Sequence, residues 1–208
     1  NENTVGVTYE IINRSGKSAA FQVTPQMEFV PKGERLSEVQ EFVFEEADSA
    51  GQAARGCRQA VIRSGGRCLY LETNGFLSEQ PLNFRTDLYY AYDVCDGRGE
   101  TGCTAANHSI TFDTQPGERL IGELIYGAAP VSEHYSLAGG AGGVRRMEKS
   151  LREYRDGLRN KAGFRDETAG VLAAAADQFI SYRASTDNRT ILAGYPFFED
   201  WGRDTMIS

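Results

Sequence analysis

The fold of this chain is decided by two stretches, residues 5–12, V-G-V-T-Y-E-I-I, and residues 21–29, F-Q-V-T-P-Q-M-E-F. In the first stretch, apolar side chains at positions 5, 7, 9 and 11 alternate with Gly6, Thr8 and Glu10, and the second stretch repeats this period of two. Such an alternation is typical of a β-strand with one buried face. Turn residues, N-R-S-G at positions 13–16, lie between the stretches, so the sequence predicts a β-hairpin.

Short apolar runs separated by turn residues continue to about residue 137. They predict further strands at Glu41–Phe44, Gln59–Ile62, Arg67–Glu72, Leu88–Val94, His108–Phe112 and Arg119–Tyr126. The pair Asn74-Gly75 predicts a tight turn, because both residues tolerate a positive φ. Many short strands with turns between them indicate an antiparallel β-sandwich, which we predict for residues 1–137.

The composition changes at residues 138–143, A-G-G-A-G-G, which are typical of a flexible connector. After the connector, apolar residues recur at steps of three and four. They are Val144, Met147, Leu151, Tyr154 and Leu158. This spacing predicts an amphipathic helix whose apolar stripe packs against a neighbouring element. We therefore predict that residues 138–165 are a connector followed by a linker helix.

A second helix is predicted to begin at Asp166, because its carboxylate is a good N-cap and Glu167 follows in the first turn. The apolar spacing continues through Tyr182, and the polar residues 185–188 end the pattern. Residues 189–202 then predict a loop, and a further helix is expected to begin near Arg203. We predict that residues 166–208 are the start of a helical domain.

The composition excludes several classes of partner. The formal net charge of −7 argues against binding to nucleic acid, because phosphate backbones are bound by clustered Lys and Arg. No apolar run approaches the roughly 20 residues that cross a bilayer, so we expect no membrane partner. The residues of this chain carry no export signal, and we expect a cytoplasmic protein; a signal ahead of residue 1 stays open as an alternative. Because the chain lacks an initiator Met and stops inside an apolar motif, we expect it to be part of a longer protein.

Cysteine and histidine offer no pattern for a metal, a cofactor or nucleophilic catalysis. The four cysteines are Cys57, Cys68, Cys95 and Cys103. None forms a C-x-x-C pair or lies at zinc spacing from a histidine, so free thiols and no metal are expected. A disulfide between Cys95 and Cys103 stays open as an alternative. The two histidines, His108 and His134, are expected to be structural, and neither lies near a nucleophile.

The last twenty residues combine aromatic, acidic and basic side chains in a manner that suits a sugar. Apolar C–H faces of a glucose ring pack against aromatic surfaces, and its hydroxyls need donors and acceptors in fixed places. Arg203 and Asp204 supply both on adjacent residues, through charge-assisted hydrogen bonds. The competing interpretation is that the aromatic residues pack in a core and that the charged pair belongs to a surface ion-pair network.

The order of residues 190–208, T-I-L-A-G-Y-P-F-F-E-D-W-G-R-D-T-M-I-S, closely resembles the signature that opens the catalytic domain of bacterial and archaeal glycogen debranching enzymes, the amylo-α-1,6-glucosidases. A weaker similarity to the family lies at residues 93–99, D-V-C-D-G-R-G. The resemblance implies an N-terminal β-supersandwich followed by an (α/α)6 barrel, of which this chain would hold the first helix. It also implies an α-glucan substrate such as glycogen, limit dextrin or a maltooligosaccharide.

The resemblance implies roles for individual residues. Arg203 and Asp204 would bind the non-reducing-end glucose, and Trp201 would form part of the pocket wall. Phe197 stands where the family often has a Trp. The complete set of substrate-binding candidates is Trp201, Arg203, Asp204, Tyr195, Phe197, Phe198 and Asp200. The general acid and the general base of the family lie further along the barrel, outside this chain.

Glycoside hydrolysis usually needs two carboxyl groups that flank the scissile bond, about 6.5–9.5 Å apart for inversion or about 5–5.5 Å apart for retention. Glu199 and Asp200 are adjacent and diverge, and Asp204 lies next to an arginine, so no catalytic pair is expected within the chain and the chain alone is expected to be inactive.

The leading hypothesis is hydrolysis of α-1,6-linked glucose at branch points. The alternatives are another (α/α)6 enzyme, such as a glucoamylase or a disaccharide phosphorylase, and a non-catalytic glucan-binding or structural sandwich. Tyr89, Tyr90 and Tyr92 are the aromatic cluster that would serve such a module, with Tyr89 on the opposite strand face.

Overall fold

The computed structural model describes residues 4–30, 43–46, 58–64, 66–95, 97, 99, 101–130, 142–194 and 198–207. The chain divides into two compact units, residues 1–147 and 148–208. The domain limits predicted from the sequence, 1–137, 138–165 and 166–208, stay predictions. Across the described ranges, no helix is both long enough and apolar enough to cross a membrane.

The first unit is built from β-strands. They are β1 (Thr4–Ile12), β2 (Ala19–Val23), β3 (Val43–Glu46), β4 (Arg58–Ser64), β5 (Arg67–Thr73), β6 (Phe76–Tyr89), β7 (Thr101–Thr114) and β8 (Arg119–Pro130), with a short helix α1 (Ala91–Cys95) after β6. One sheet has the order β1-β8-β5-β4-β3 and a second has the order β2-β7-β6. All neighbouring strands in these sheets pair antiparallel.

The two sheets share one apolar core. Buried side chains from both meet in a single cluster, with Ala60, Leu71 and Leu124 from the first sheet and Leu77, Ile110 and Phe112 from the second. Two sheets that bury one common core form a sandwich. This confirms the predicted antiparallel β-sandwich, in which alternate residues of β1 pack against the core.

The predicted hairpin between β1 and β2 is wrong, because β1 pairs with β8 and β2 pairs with β7. Asn13, which is only 7% exposed, redirects the chain from one sheet to the other. Its amide nitrogen donates to the carbonyl oxygens of Lys17 (2.9 Å) and Thr114 (3.4 Å), and its Oδ1 accepts from the Ser15 backbone N–H (2.9 Å). The turn residues therefore make a corner between sheets. The period-two pattern located β1, but the second stretch, predicted over residues 21–29, is a strand only to Val23, with one isolated bridge at Met27. The pattern identified neither strand's partner.

The predicted tight turn at Asn74-Gly75 is present, since these two residues alone connect β5, which ends at Thr73, to β6, which begins at Phe76. Neither residue has a positive φ, and the segment carries the chain from β5 in one sheet to β6 in the other. The Asn74 side chain donates to the Ile121 carbonyl oxygen (2.8 Å) and accepts from the Glu123 backbone N–H (2.8 Å). A Cβ atom at Gly75 would lie 2.5 Å from Ile110 Cγ2, so glycine is required here by close packing.

The predicted strand Leu88–Val94 is replaced by the end of β6 and by helix α1. The Val94 N–H donates to the Tyr90 carbonyl oxygen (3.2 Å), and Gly97 follows with φ of 72°, a conformation that ends many helices. Tyr89 and Tyr92 are 63% and 71% exposed, while the Tyr90 ring covers Gly102. The expected alternation of the three tyrosines on one strand is therefore also wrong.

His108 has the structural environment expected from the sequence. Its side chain is fully buried in β7, with Nδ1 lying 3.0 Å from Asn107 Oδ1 and Nε2 lying 3.2 Å from the Tyr126 hydroxyl. Burial lowers the pKa of His108 to about 4 and raises the pKa of Tyr126. A neutral imidazole with both nitrogens in polar contacts suits a buried position.

The cysteines that the structure describes, Cys68, Cys95 and Cys103, are free thiols. Cys57 and the second histidine, His134, lie outside the described residues. Within the described part of the chain, no group of three or more His, Cys, Asp or Glu side chains is arranged to hold a metal ion.

The second unit contains helices and a small sheet. Helix α2 (Gly143–Ala162) begins in the first unit and continues into the second, and it is followed by α3 (Glu167–Ala176), β9 (Ile180–Arg183), β10 (Asn188–Gly194), β11 (Phe198–Asp200) and α4 (Gly202–Ile207). The strands form an antiparallel sheet of order β11-β10-β9. The Tyr154 hydroxyl donates to Asp177 Oδ2 (2.8 Å) and thereby fastens α2 to the end of α3.

Local signals located the beginnings of two helices in this unit. Asp166 is the N-cap of α3 and accepts from the Ala169 N–H (2.8 Å), and α4 begins beside Arg203 as predicted. However, α3 ends at Ala176, so the prediction that the helix continues through Tyr182 is wrong. The reason is that residues 180–183 form backbone hydrogen bonds with β10, which requires an extended and not a helical backbone. The predicted loop after residue 188 is likewise two strands and the segment between them.

The apolar stripe of α2 is less buried than predicted. Leu151 and Tyr154 are 48% and 46% exposed. Val144 is partly buried, and its methyl groups lie 3.1 and 3.2 Å from the position that a Cβ atom would take at Gly6 in β1. The close packing on the stripe is therefore seen at its N-terminal end.

Candidate functional site

The hairpin of β10 and β11 carries the aromatic residues of the candidate site. Leu192 lies opposite Asp200 and Gly194 lies opposite Phe198 in the register. A Cβ atom at residue 194 would stand 3.3 Å from Phe198 Cδ2, so glycine allows the ring to lie close to the neighbouring strand. The Phe198 side chain is nevertheless 58% exposed, which leaves it available to a ligand.

Trp201 stands between β11 and α4, with its side chain 53% exposed. The Arg203 guanidinium carbon lies 6.0 Å from the centroid of the Trp201 ring. This distance is at the outer limit of a cation–π contact. An exposed indole beside a guanidinium presents a flat apolar surface next to several hydrogen-bond donors.

Four polar side chains contact one another next to the strand-to-helix turn at Trp201, and we call them the Thr190 network. They are Arg183, Thr190, Asp200 and Thr205. The Arg183 Nη1 atom lies 3.1 Å from Asp200 Oδ2, and this ion pair reaches from β9 across β10 to β11. The Thr190 hydroxyl donates to the same Asp200 oxygen (3.2 Å). Because Thr190 is only 9% exposed and the Asp200 side chain 24%, these contacts are partly shielded from water.

Thr205 connects the network to the backbone of Trp201. The Thr205 N–H lies 3.0 Å from the Trp201 carbonyl oxygen, and its hydroxyl lies 3.1 Å from the same oxygen. That hydroxyl is also 3.3 Å from the Thr190 hydroxyl and 3.4 Å from the Ile191 carbonyl oxygen. Each threonine hydroxyl has one proton, which serves one of these acceptors at a time. Together the contacts fix the strand-to-helix turn at Trp201.

The turn between β9 and β10 is fixed separately. Asp187 adopts a left-handed conformation with φ of 49°, and its Oδ1 accepts a hydrogen bond from the Tyr182 hydroxyl (2.6 Å). This hydrogen bond raises the pKa of Tyr182. The strand that carries Thr190 is therefore held at its beginning as well as along its length.

Four of the candidates, Phe198, Asp200, Trp201 and Arg203, are close together in the sequence, and of these the structure brings Arg203 and the Trp201 ring into contact. Tyr195 and Phe197 lie outside the described residues, as does the side chain of Asp204. The described contacts of Asp200 are with Arg183 and Thr190, which gives it a positioning role beneath the turn.

Sequence reasoning missed Arg183, Thr190 and Thr205. The signal that could have found Thr190 is its register, because Leu192 lies opposite Asp200 and residues two apart on a strand share a face. This register can be read only if residues 188–200 are taken as a β-hairpin, whereas the sequence predicted a loop there.

Comparison with known families bears on this segment. A family model described as amylo-alpha-1,6-glucosidase matches residues 174–208, which include every residue of the site and of the Thr190 network. No curated protein and no solved structure matches the chain. The match supports a relationship to that glucosidase family at a coarse level.

Proposed function

We propose that the protein that contains this chain is an α-glucan glucosidase of the debranching type, which hydrolyses α-1,6-linked glucose at branch points. The observation that carries the proposal is the family match over residues 174–208, the segment that holds the exposed Trp201 and Arg203. The chemistry of that segment supports the same substrate class, since an aromatic face and a guanidinium suit the C–H surface and the hydroxyls of a sugar.

In this proposal the site binds the terminal glucose and does not cleave the bond. Trp201 packs against the ring, Arg203 donates to its hydroxyls, and the Thr190 network holds both in place. Of the acidic residues nearby, Asp200 is occupied by Arg183 and Thr190. The two catalytic carboxyl groups come from outside these residues.

The proposal is tested with the complete product of the gene that encodes this chain. Incubation with a branched limit dextrin should release free glucose, measured by an enzyme-coupled assay, and linear α-1,4 chains should be poorer substrates. A higher rate on linear chains would favour the alternative of a glucoamylase-like enzyme. Absence of glucose from both substrates would refute the proposal.

Asp204 provides a second test at a single residue. Asp204→Asn keeps the size of the side chain and removes its charge, and a charge-assisted hydrogen bond to a sugar hydroxyl is worth about 1.5–3 kcal/mol. We therefore expect kcat/KM on limit dextrin to fall by at least about tenfold. A variant with wild-type activity would remove Asp204 from the sugar site.

A further inference from the structure

The sandwich contains a groove that is separate from the site in residues 198–205. It has a volume of about 520 Å³ and lies over the three strands of the second sheet. Its lining comes from Gln22, Thr24, Ala106, Ser109 and residues 80–84. The volume falls within the range of roughly 300–1,000 Å³ that is common for small-molecule sites.

The groove is shaped by an irregularity in β6. Glu79 lies opposite His108 and Asn83 lies opposite Ala106, so β6 uses four residue steps where β7 uses two. Pro81 stands inside this bulge and has no N–H to give to a ladder. Bulges of this kind redirect side chains and are frequent beside functional sites.

A chain of hydrogen bonds fixes the orientation of the polar side chains of the groove. Gln22 Nε2 donates to Ser109 Oγ (3.2 Å), the Ser109 and Ser78 hydroxyls lie 3.1 Å apart, and Gln80 Nε2 donates to Ser78 Oγ (3.0 Å). Each glutamine uses one N–H in this way. Among the described residues, none donates a hydrogen bond to either glutamine carbonyl oxygen, which leaves two acceptors on fixed side chains.

The apolar part of the groove is exposed. Leu82 and Phe84 are 40% and 47% exposed, and they lie beside the fixed amides. The lining contains no charged residue, so it favours a neutral ligand. Amide groups for hydroxyls, together with an aromatic ring for C–H faces, are the requirements of a carbohydrate. A peptide that adds a strand to the edge of β6 fits less well, because the bulge and Pro81 interrupt the ladder.

From these features we infer that the groove between β2 and the bulge of β6 is a second carbohydrate-binding site, which holds an α-glucan chain through Gln22, Gln80 and Phe84. The choice of an α-glucan rests on the proposed function. The neutral polar lining supports a carbohydrate ligand whether or not the proposed function is correct. Such a site would bind the polymer to the sandwich.

The test is calorimetric binding of β-cyclodextrin to the complete gene product. This cyclic α-1,4 glucan has no non-reducing end, so it cannot present a terminal glucose to the site at Trp201, but it can lie in an open groove. Phe84→Ala and Gln80→Ala should each weaken binding by about tenfold. Phe76→Ala is the matched control, since Phe76 is on the same strand, is 51% exposed and lies outside the groove. Circular dichroism melts verify that each variant is folded.

We expect Phe76→Ala and Trp201→Ala to bind the cyclic glucan as tightly as the wild type does. Absence of binding, or binding that is lost in Trp201→Ala and retained in Phe84→Ala, would overturn the inference. If the protein binds the cyclic glucan through Phe84 but releases no glucose from limit dextrin, the groove stands and the proposed function fails.

Discussion

Replacement of Thr190 by valine tests whether the Thr190 network holds the candidate site together. The substitution removes one hydroxyl and keeps the branched shape of a side chain that is only 9% exposed. The lost group lies 3.2 Å from Asp200 Oδ2 and 3.3 Å from the Thr205 hydroxyl. Thr190→Val therefore leaves the packing of β10 in place and removes the polar connection between β11 and α4.

The magnitude follows from these contacts. A hydrogen bond to a charged group contributes about 1.5–3 kcal/mol. The Asp200 carboxylate is partly exposed to water, and Arg183 still contacts the same oxygen, so the lower end of this range applies. We expect Thr190→Val to lower the free energy of unfolding by about 1.5 kcal/mol. Thr190→Ser retains the hydroxyl and loses only one methyl group, at a cost of about 0.8 kcal/mol or less.

The assay is urea denaturation of the 208-residue chain, followed by tryptophan fluorescence. Trp201 is the single tryptophan of the chain, so its emission reports directly on the turn. In an Asp200→Asn background the cost of Thr190→Val should shrink, because the hydroxyl has lost its charged partner. The reasoning is refuted if Thr190→Val is no less stable than Thr190→Ser, or if its cost is unchanged when Asp200 is replaced.

Three further changes test other parts of the structure. Gly75→Ala should destabilise the sandwich by about 1–3 kcal/mol in a chemical melt, because the new methyl group meets the buried Ile110 and Phe112 side chains; an unchanged midpoint would contradict the close packing. Asp166→Ala should remove the N-cap of α3 and lower stability by about 1 kcal/mol, whereas Asp166→Asn should retain most of it. Burial lowers the pKa of His108 from 6.5 to about 4, so the unfolded state binds more protons than the folded state between these pH values. The free energy of unfolding should therefore fall by up to about 1.4 kcal/mol per pH unit as the pH drops through this window. A His108→Gln variant with the same pH profile would show that another group is responsible.

Local sequence signals predicted those elements whose stability is mostly local. The Asp166 cap and the alternation in β1 depend on neighbours within a few residues. The cap occurs where the sequence predicted it, and the alternation holds at Val7, Tyr9 and Ile11, whereas Val5 is exposed. Partners and sheet membership depend on contacts that are distant in sequence. Asn13 illustrates this, because the same turn residues that could close a hairpin instead bind Thr114, 101 positions away.

The end of α3 was missed for the same reason. The spacing of apolar residues continues as a helical pattern to Tyr182, but pairing with β10 makes residues 180–183 extended. For the candidate site, the motif predicted Trp201 and Arg203 because their chemistry is recognisable residue by residue, and their role in binding stays a prediction. Arg183 and Thr190 have no such signature, and only the three-stranded sheet brings them to Asp200.

The most direct test of the central claim is product analysis on an oligosaccharide that carries a single α-1,6-linked glucose on a linear α-1,4 chain. The complete gene product and its Trp201→Ala variant are compared under the same conditions. We predict that the wild type releases one glucose per molecule and leaves the linear chain intact, and that Trp201→Ala is slower by at least about tenfold. No glucose from the wild-type protein, or equal rates for the two proteins, would contradict the assignment of a glucose site to residues 198–205.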